Sequence, residues 1–170
     1  MRIVGVDPGA LGALALLDGA ALSVADMPMV KMRRGKTDKA EVHGPELAEL
    51  LRCWEPDVAF IEVVGGIQGQ SASAAFNFGY AAGQVRGVLH MAGVRVEMVP
   101  TTVWKRFVGV KLGAGKDPSR VRACQLWPQQ SGLFARKKDA DRAEAALIAE
   151  YGRRTLFAEQ PPPLVEELFE

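Results

Sequence analysis

Ile3-Val4-Gly5-Val6-Asp7-Pro8-Gly9 opens the chain with a short apolar run that stops at a carboxylate and a Pro-Gly turn. Two more apolar runs follow at residues 11–17 and 21–25, separated by Asp18-Gly19. Short aliphatic runs divided by such turn residues read as three strands in an antiparallel meander. Residues 57–64 form the next strand, whose nearly unbroken apolar character suits a strand covered on both faces, with Glu62 near its end. Residues 94–99 give a fifth strand, ended by Pro100. Helical spacing covers residues 43–54 through Leu47, Leu50 and Leu51, then a helix capped by Ser71 and running to about Met91. Further helices are expected at about 101–107, 117–126 and 140–152, with Asp139 available as N-cap of the last. A meander followed by crossovers predicts an α/β domain on a mixed five-stranded sheet flanked by helices. Residues 27–42, polar, basic and containing Gly35, read as a long loop.

The 170 residues, 48% of them hydrophobic, suffice for one sizeable core and fall short of two ordinary domains. One domain is expected over residues 1–158, followed by an acidic tail at 159–170 that holds three consecutive prolines. No apolar stretch approaches the roughly 18 residues of a membrane span, and the N-terminus has no charged leader pattern. A cytoplasmic protein with no membrane partner is therefore expected. Cys53 and Cys124 form no CxxC pattern and read as buried, reduced thiols.

The formal net charge of +1 hides an asymmetry. The tail carries Glu159, Glu166, Glu167 and Glu170 with no basic residue, so the body holds 21 basic against 16 acidic residues. Its basic residues cluster at Lys31, Arg33, Arg34, Lys36 and Lys39, and again at Lys105, Arg106, Lys111, Lys116, Arg120 and Arg122. Such runs serve first as solvated surface; beside a metal-type set of acids they point to a phosphate-rich partner.

That set consists of Asp7, Glu62, Asp141 and Glu144. Alone, an Asp before Pro-Gly is a turn former. Glu62, however, follows four apolar strand residues and must be exposed at the sheet end, paired or metal-bound, because an unpaired buried carboxylate is costly. Asp141 and Glu144, at i and i+3, share one face of a helix whose Ala140, Ala143, Ala145 and Ala146 allow it to lie close to the sheet. Like charges about 4 Å apart repel by about 4 kcal/mol at an effective dielectric near 20, so four gathered carboxylates require protons or cations. An all-oxygen site favours Mg²⁺ or Mn²⁺ over Zn²⁺. A second pattern lies in the helix after Ser71, where Ala75, Gly79, Gly83 and Gly87 recur every fourth residue. Each helical glycine costs about 1 kcal/mol relative to alanine. The stripe therefore implies close backbone approach, either of the helix to the sheet or of a second helix in a dimer seam.

Ile3-Val4-Gly5-Val6-Asp7-Pro8-Gly9, Phe60-Ile61-Glu62-Val63-Val64, Val103-Trp104-Lys105, Gly115-Lys116 and Asp141-Arg142-Ala143-Glu144-Ala145-Ala146-Leu147-Ile148-Ala149 together resemble, in order and spacing, the motifs of RuvC-type Holliday junction resolvases. The resemblance spans about residues 1–152 and is strongest to the shorter, phage-type members. It implies a ribonuclease H-like fold, a homodimer, and paired Mg²⁺-dependent incisions in a four-way DNA junction that leave 5′-phosphates, in a bacterial or phage-infected cell. It also implies two metal ions, replaceable by Mn²⁺, with Asp7, Glu62, Asp141 and Glu144 as ligands. Lys105 and Lys116 match catalytic basic residues near the scissile phosphate. Lys31, Arg33, Arg34 and Lys36 would reach the DNA backbone, with Gln68, Gln70, Arg106, Lys111 and Arg120 as further DNA contacts. Two departures stand out. Many bacterial members carry an aspartate where this chain has Glu144, and Asp139 offers a rival ligand, although Asp139 and Asp141 point to different helix faces. Where such enzymes place an aromatic residue that probes the junction, this chain has Gly65, leaving Ile67, Gln68 or Phe76 for that role; Phe76, Phe78 and Tyr80 also read as core or dimer contacts.

Three other functions compete. An actin-like or sugar-kinase-like ATPase also opens with strand-Asp-x-Gly, but needs two such halves. Gly113-Ala114-Gly115-Lys116-Asp117 is no P-loop, because position 110 is Val and Asp117 replaces the required hydroxyl residue, so no nucleotide cofactor is expected. Another ribonuclease H-like nuclease, acting on flaps or RNA precursors, keeps the same acids. A non-catalytic junction-binding module does not need all four.

Overall fold

The computed structural model describes residues 1–9, 11–35, 37–63, 71–113, 115 and 117–158, and the backbone only of Arg34. Among the described residues, seven strands and five α-helices follow in the order β1 (Arg2–Asp7), β2 (Ala13–Asp18), β3 (Ala21–Asp26), β4 (Met29–Arg34), β5 (Thr37–Val42), α1 (Gly44–Trp54), β6 (Val58–Val63), α2 (Ala72–Met91), β7 (Arg95–Pro100), α3 (Thr101–Phe107), α4 (Asp117–Leu126) and α5 (Ala140–Ala158). Two 3₁₀ segments, Pro128–Phe134 and Lys137–Asp139, join α4 to α5. The expected five-stranded mixed sheet is present, in the order β3-β2-β1-β6-β7. Strand β1 lies at its centre, antiparallel to β2 and parallel to β6.

Strand periodicity decides which residues face which helices. Along β1, Val4 and Val6 pack with Leu47, Leu51, Val85 and Leu89 beneath α1 and α2. Ile3 points the other way, into the core formed with Trp104, Phe134 and the alanine-rich face of α5. Gly5 and Asp7 share the parity of Ile3. In β6, Val58 and Phe60 face the α5 core while Ala59 and Ile61 face α1 and α2, which assigns Glu62 to the α5 side as well.

Gly5 lets α5 come down onto that side. A Cβ there would sit 2.1 Å from the Ala145 carbonyl oxygen and 2.3 Å from the Ala149 nitrogen, so only glycine fits. A similar fit occurs lower down, where a Cβ on Gly152 would lie 2.3 Å from the Phe60 ring. Two residues of strand beyond Gly5 span roughly 6.6 Å, and the four residues of helix from Asp141 to Ala145 rise about 6 Å. The same contact therefore brings Asp7 level with Asp141.

Several sequence expectations need correction. Residues 27–42 are not a loop: β4 and β5 form a hairpin in the register Met29↔Val42 to Arg34↔Thr37, turning at Gly35 with φ +62°. Only its base, with Met27 and Val42, enters the core. Beyond the base the described side chains are exposed on both faces, so no apolar alternation marks the strands, and an Arg33–Asp38 ion pair at 3.2 Å joins them directly across the ladder. Helix α5 extends past residue 152 to Ala158, with Tyr151 and Leu156 adding to its core contacts. Gly79, Gly83 and Gly87 are exposed, and a Cβ at each would meet nothing within 4 Å, so the stripe does not pack on the sheet. Phe76 and Tyr80 are exposed rather than core, and their rings stack 6.1 Å apart. Cys53 is exposed instead of buried.

Candidate active site

Asp7, Asp141 and Glu144 each offer an oxygen, and these three atoms lie within 4.8 Å of one another. Asp7 comes from the end of β1, the other two from the first turns of α5. The β1–β2 turn fixes the first: Gly12 donates its N–H to the Gly9 carbonyl at 2.8 Å, and a Cβ on Gly12 would fall 2.0 Å from the Asp7 carbonyl oxygen. The Gly9 N–H also points to Asp7 Oδ1 at 3.5 Å. Glu62 stands one residue beyond the Val6↔Ile61 pair that ends the β1–β6 register, next to Asp7 on the same face of the sheet. It lies outside the tight group of three, and its Oε1 accepts a hydrogen bond from Trp104 Nε1 at 3.0 Å.

Helix α3, set running by Pro100 at the end of β7, supplies both that tryptophan and the neighbouring Lys105. Lys105 Nζ lies 2.7 Å from Glu144 Oε1. Ser119 on α4 donates to the same oxygen at 3.0 Å. Asp7, Glu62 and Glu144 are all buried and Asp141 is partly so. The ammonium of Lys105 balances one carboxylate of the set. The close group of Asp7, Asp141 and Glu144, with Glu62 on the same face of the sheet, supplies the oxygen donors that a hard divalent cation takes. The residues present therefore fit the metal that the sequence implies.

Asp139, the rival ligand, is engaged elsewhere. Its carboxylate accepts the Arg136 backbone N–H at 2.9 Å and the Arg136 guanidinium at 2.8–3.2 Å, and Arg142 lies 3.8 Å away. The Arg136 hydrogen bond holds its pKa down at about 2. Asp139 thus reaches back to Arg136 instead of capping α5. Arg142 in turn grips Asp26, at the end of β3, with two hydrogen bonds of 2.6 and 2.7 Å, which lowers the Asp26 pKa and ties the start of α5 to the sheet.

Among the expected DNA contacts, Lys31, Arg33, Arg106 and Lys111 are exposed. Arg120 donates to the Phe134 and Ala135 carbonyls at 2.9 and 2.6 Å and pairs with Asp117, fastening α4 to the 3₁₀ segment. Lys36, Gln68, Gln70, Lys116, the Gly65 and Ile67 positions, the side chain of Arg34 and the tail at 159–170 lie outside the described residues. Sequence reasoning missed Gly5 and Gly12 as close-approach positions, the Asp26–Arg142 tie, and Trp104 and Ser119 as donors. For Ser119 a signal existed: it lies four residues before Ala123, so a polar side chain occupies the buried stripe of α4.

No family model matches the chain. It is 33% identical over 90 residues to the chloroplastic Holliday junction resolvase MOC1 of Chlamydomonas reinhardtii; that match takes in 53% of this chain and 10% of that protein. The chain thus spans about a tenth of the length of the curated relative it matches. Its structure is similar to Thermus thermophilus RuvC, with a TM-score of 0.56 and 19% identity over 91% of this chain and 96% of that one. Against T. thermophilus RuvC in complex with a Holliday junction substrate the TM-score is 0.58 and the identity 18%, with the same coverage. The ribonuclease H-like fold of RuvC, which the ordered motifs led one to expect, is the fold of this chain.

Proposed function

We propose that this chain is a structure-selective endonuclease that resolves four-way DNA junctions by hydrolysing phosphodiester bonds at the site of Asp7, Glu62, Asp141 and Glu144. The observation that carries the proposal is the convergence of Asp7, Asp141 and Glu144 within 4.8 Å, with Glu62 beside them, in a fold similar to RuvC in complex with a Holliday junction substrate. In this reading the four acids hold Mg²⁺, as two ions, with Mn²⁺ able to replace it. Bound there, such ions would orient the scissile phosphate and lower the pKa of an attacking water. The chain's own contribution is to position them and to exclude competing geometry: Gly5 seats α5, Gly12 fixes the Asp7 turn, and Lys105 lies within reach of a phosphate whose negative charge grows in the transition state. Lys116 is assigned the same electrostatic role from the motif resemblance. Lys31 and Arg33 on the exposed hairpin, with Arg106 and Lys111, supply salt-dependent contacts to the DNA backbone.

A homodimer belongs to this reading, because a twofold places two identical sites on symmetric strands of a junction. The exposed face of α2, with Gly79, Gly83 and Gly87 open beside the stacked Phe76 and Tyr80, supports that seam. The test is a substrate panel: four-way junction, flap, linear duplex and RNA hybrid, each incubated with the protein and Mg²⁺. Paired, symmetric nicks with 5′-phosphates in the junction alone are the expected result. Preferential cutting of flaps or RNA would reassign the substrate while keeping the chemistry.

A further inference from the structure

Two of the groups that touch the acidic set are uncharged and fully sealed from solvent. Trp104 and Ser119 are each 0% exposed, and each donates one hydrogen bond to a carboxylate of the site, Trp104 Nε1 to Glu62 Oε1 and Ser119 Oγ to Glu144 Oε1, both at 3.0 Å. An indole has a single polar group, its N–H, and at Trp104 that group is directed to Glu62 rather than left unpaired in the core. A serine on the buried stripe of α4 adds nothing to the core that alanine would not.

The pattern of partners is specific. Trp104 and Lys105 are consecutive on α3, and they take hold of two different acids, Glu62 from β6 and Glu144 from α5. Ser119 adds a second hold on Glu144 from α4, on the same oxygen that Lys105 approaches. A carboxylate held at one oxygen has its other oxygen aimed in a fixed direction. The geometry points to Trp104 and Ser119 as positioning residues of the cation site: each fixes one oxygen of a ligating glutamate so that the second is presented to the ion already oriented. Groups of this kind, one bond removed from the metal, typically change its affinity by about 10- to 100-fold when lost. The inference rests on the reading of the acidic set as a divalent-cation site and not on the identity of the DNA substrate.

The experiment compares wild type, Trp104→Phe, Ser119→Ala and Asp7→Asn in the full chain. Mn²⁺ binding is followed without DNA by the electron paramagnetic resonance signal of free Mn²⁺, alongside thermal melting and the Mg²⁺ dependence of cleavage. Both positioning variants are expected to bind Mn²⁺ about 10- to 100-fold more weakly. Their half-maximal Mg²⁺ concentration for cleavage should rise in parallel, with the rate largely recovered at saturating Mg²⁺. Should Trp104→Phe fail to fold, Ser119→Ala decides alone. Unchanged Mn²⁺ affinity in the folded variants, with only the melting temperature lowered, would overturn the positioning role while leaving the cation site intact. Absence of Mn²⁺ binding by wild type would overturn both.

Discussion

Helix α5 buries two glutamates of equal exposure in opposite ways. Glu144 and Glu150 are both 3% exposed. Glu150 is surrounded by counter-charge: Arg153 donates to it through two nitrogens at 2.7 and 2.8 Å, and Arg154 through one at 2.6 Å. Burial works against its ionisation, yet these hydrogen bonds prevail and hold its pKa below the ordinary range. Glu144 instead has an ammonium, a serine hydroxyl and two further acids as neighbours. Burial of a charge is therefore no mark of function by itself. What separates the two ends of α5 is the company the buried charge keeps: at the Glu144 end acids converge where at the Glu150 end guanidiniums do.

The largest effect that sharpens this contrast is expected from Asp7→Asn. Junction cleavage should fall by more than the roughly 100-fold that an outer partner of a metal contributes, while junction binding in a gel-shift assay persists. Next comes Gly5→Ala, which disturbs both ends by lifting α5 from β1. It should cost about 1–3 kcal/mol or more in chemical denaturation and depress cleavage as well. The double substitution Arg153→Ala/Arg154→Ala strikes only the Glu150 end and strands a buried carboxylate. A loss of about 3 kcal/mol is expected, seen as a melting temperature lower by roughly 6–12 °C, with cleavage per folded molecule unchanged. If cleavage fell instead, the two ends would not be separable.

Smaller effects lie at the periphery. Lys31→Ala should lower by about one the slope of log affinity against log salt for junction binding, worth roughly three- to fourfold between 50 and 200 mM. Asp139, a balanced acid like Glu150, predicts a pH dependence. Its folded pKa of about 2 lies below the ordinary 3.8, so its stabilisation is complete above about pH 4 and is lost as pH falls toward 2. Asp139→Asn should therefore flatten the acid limb of stability below pH 4 in urea titrations, and leave the Mg²⁺ dependence of cleavage where it was.

Much of this was legible in the chain itself. Turn residues at Pro8-Gly9 and Asp18-Gly19 and the apolar run around Glu62 were enough to expect the meander, the crossovers and the five strands, because strand endings are written locally. The acids at strand ends and at i, i+3 on an alanine-rich helix could be paired for the same reason. The hairpin at 29–42 was hidden because neither of its faces is apolar beyond the base, and a ladder of backbone hydrogen bonds leaves no trace in side-chain pattern. Gly5 looked like an ordinary strand residue until α5 was laid across it. Trp104 and Ser119 find their carboxylates 42 and 25 residues away in sequence, a pairing that only the packed fold brings about. The separation of Asp139 from the site was visible in helix geometry alone, but its partner Arg136 was not.

Central to this reading is that the acids converging at the start of α5 hold divalent cations for cutting branched DNA. Its most direct test is a titration of Mg²⁺ into wild-type protein bound to an end-labelled four-way junction, starting in EDTA. The account predicts no incision in EDTA, with paired nicks appearing as Mg²⁺ is added and absent throughout in Asp7→Asn. Incision of the junction in EDTA, or equal incision by Asp7→Asn, would contradict it.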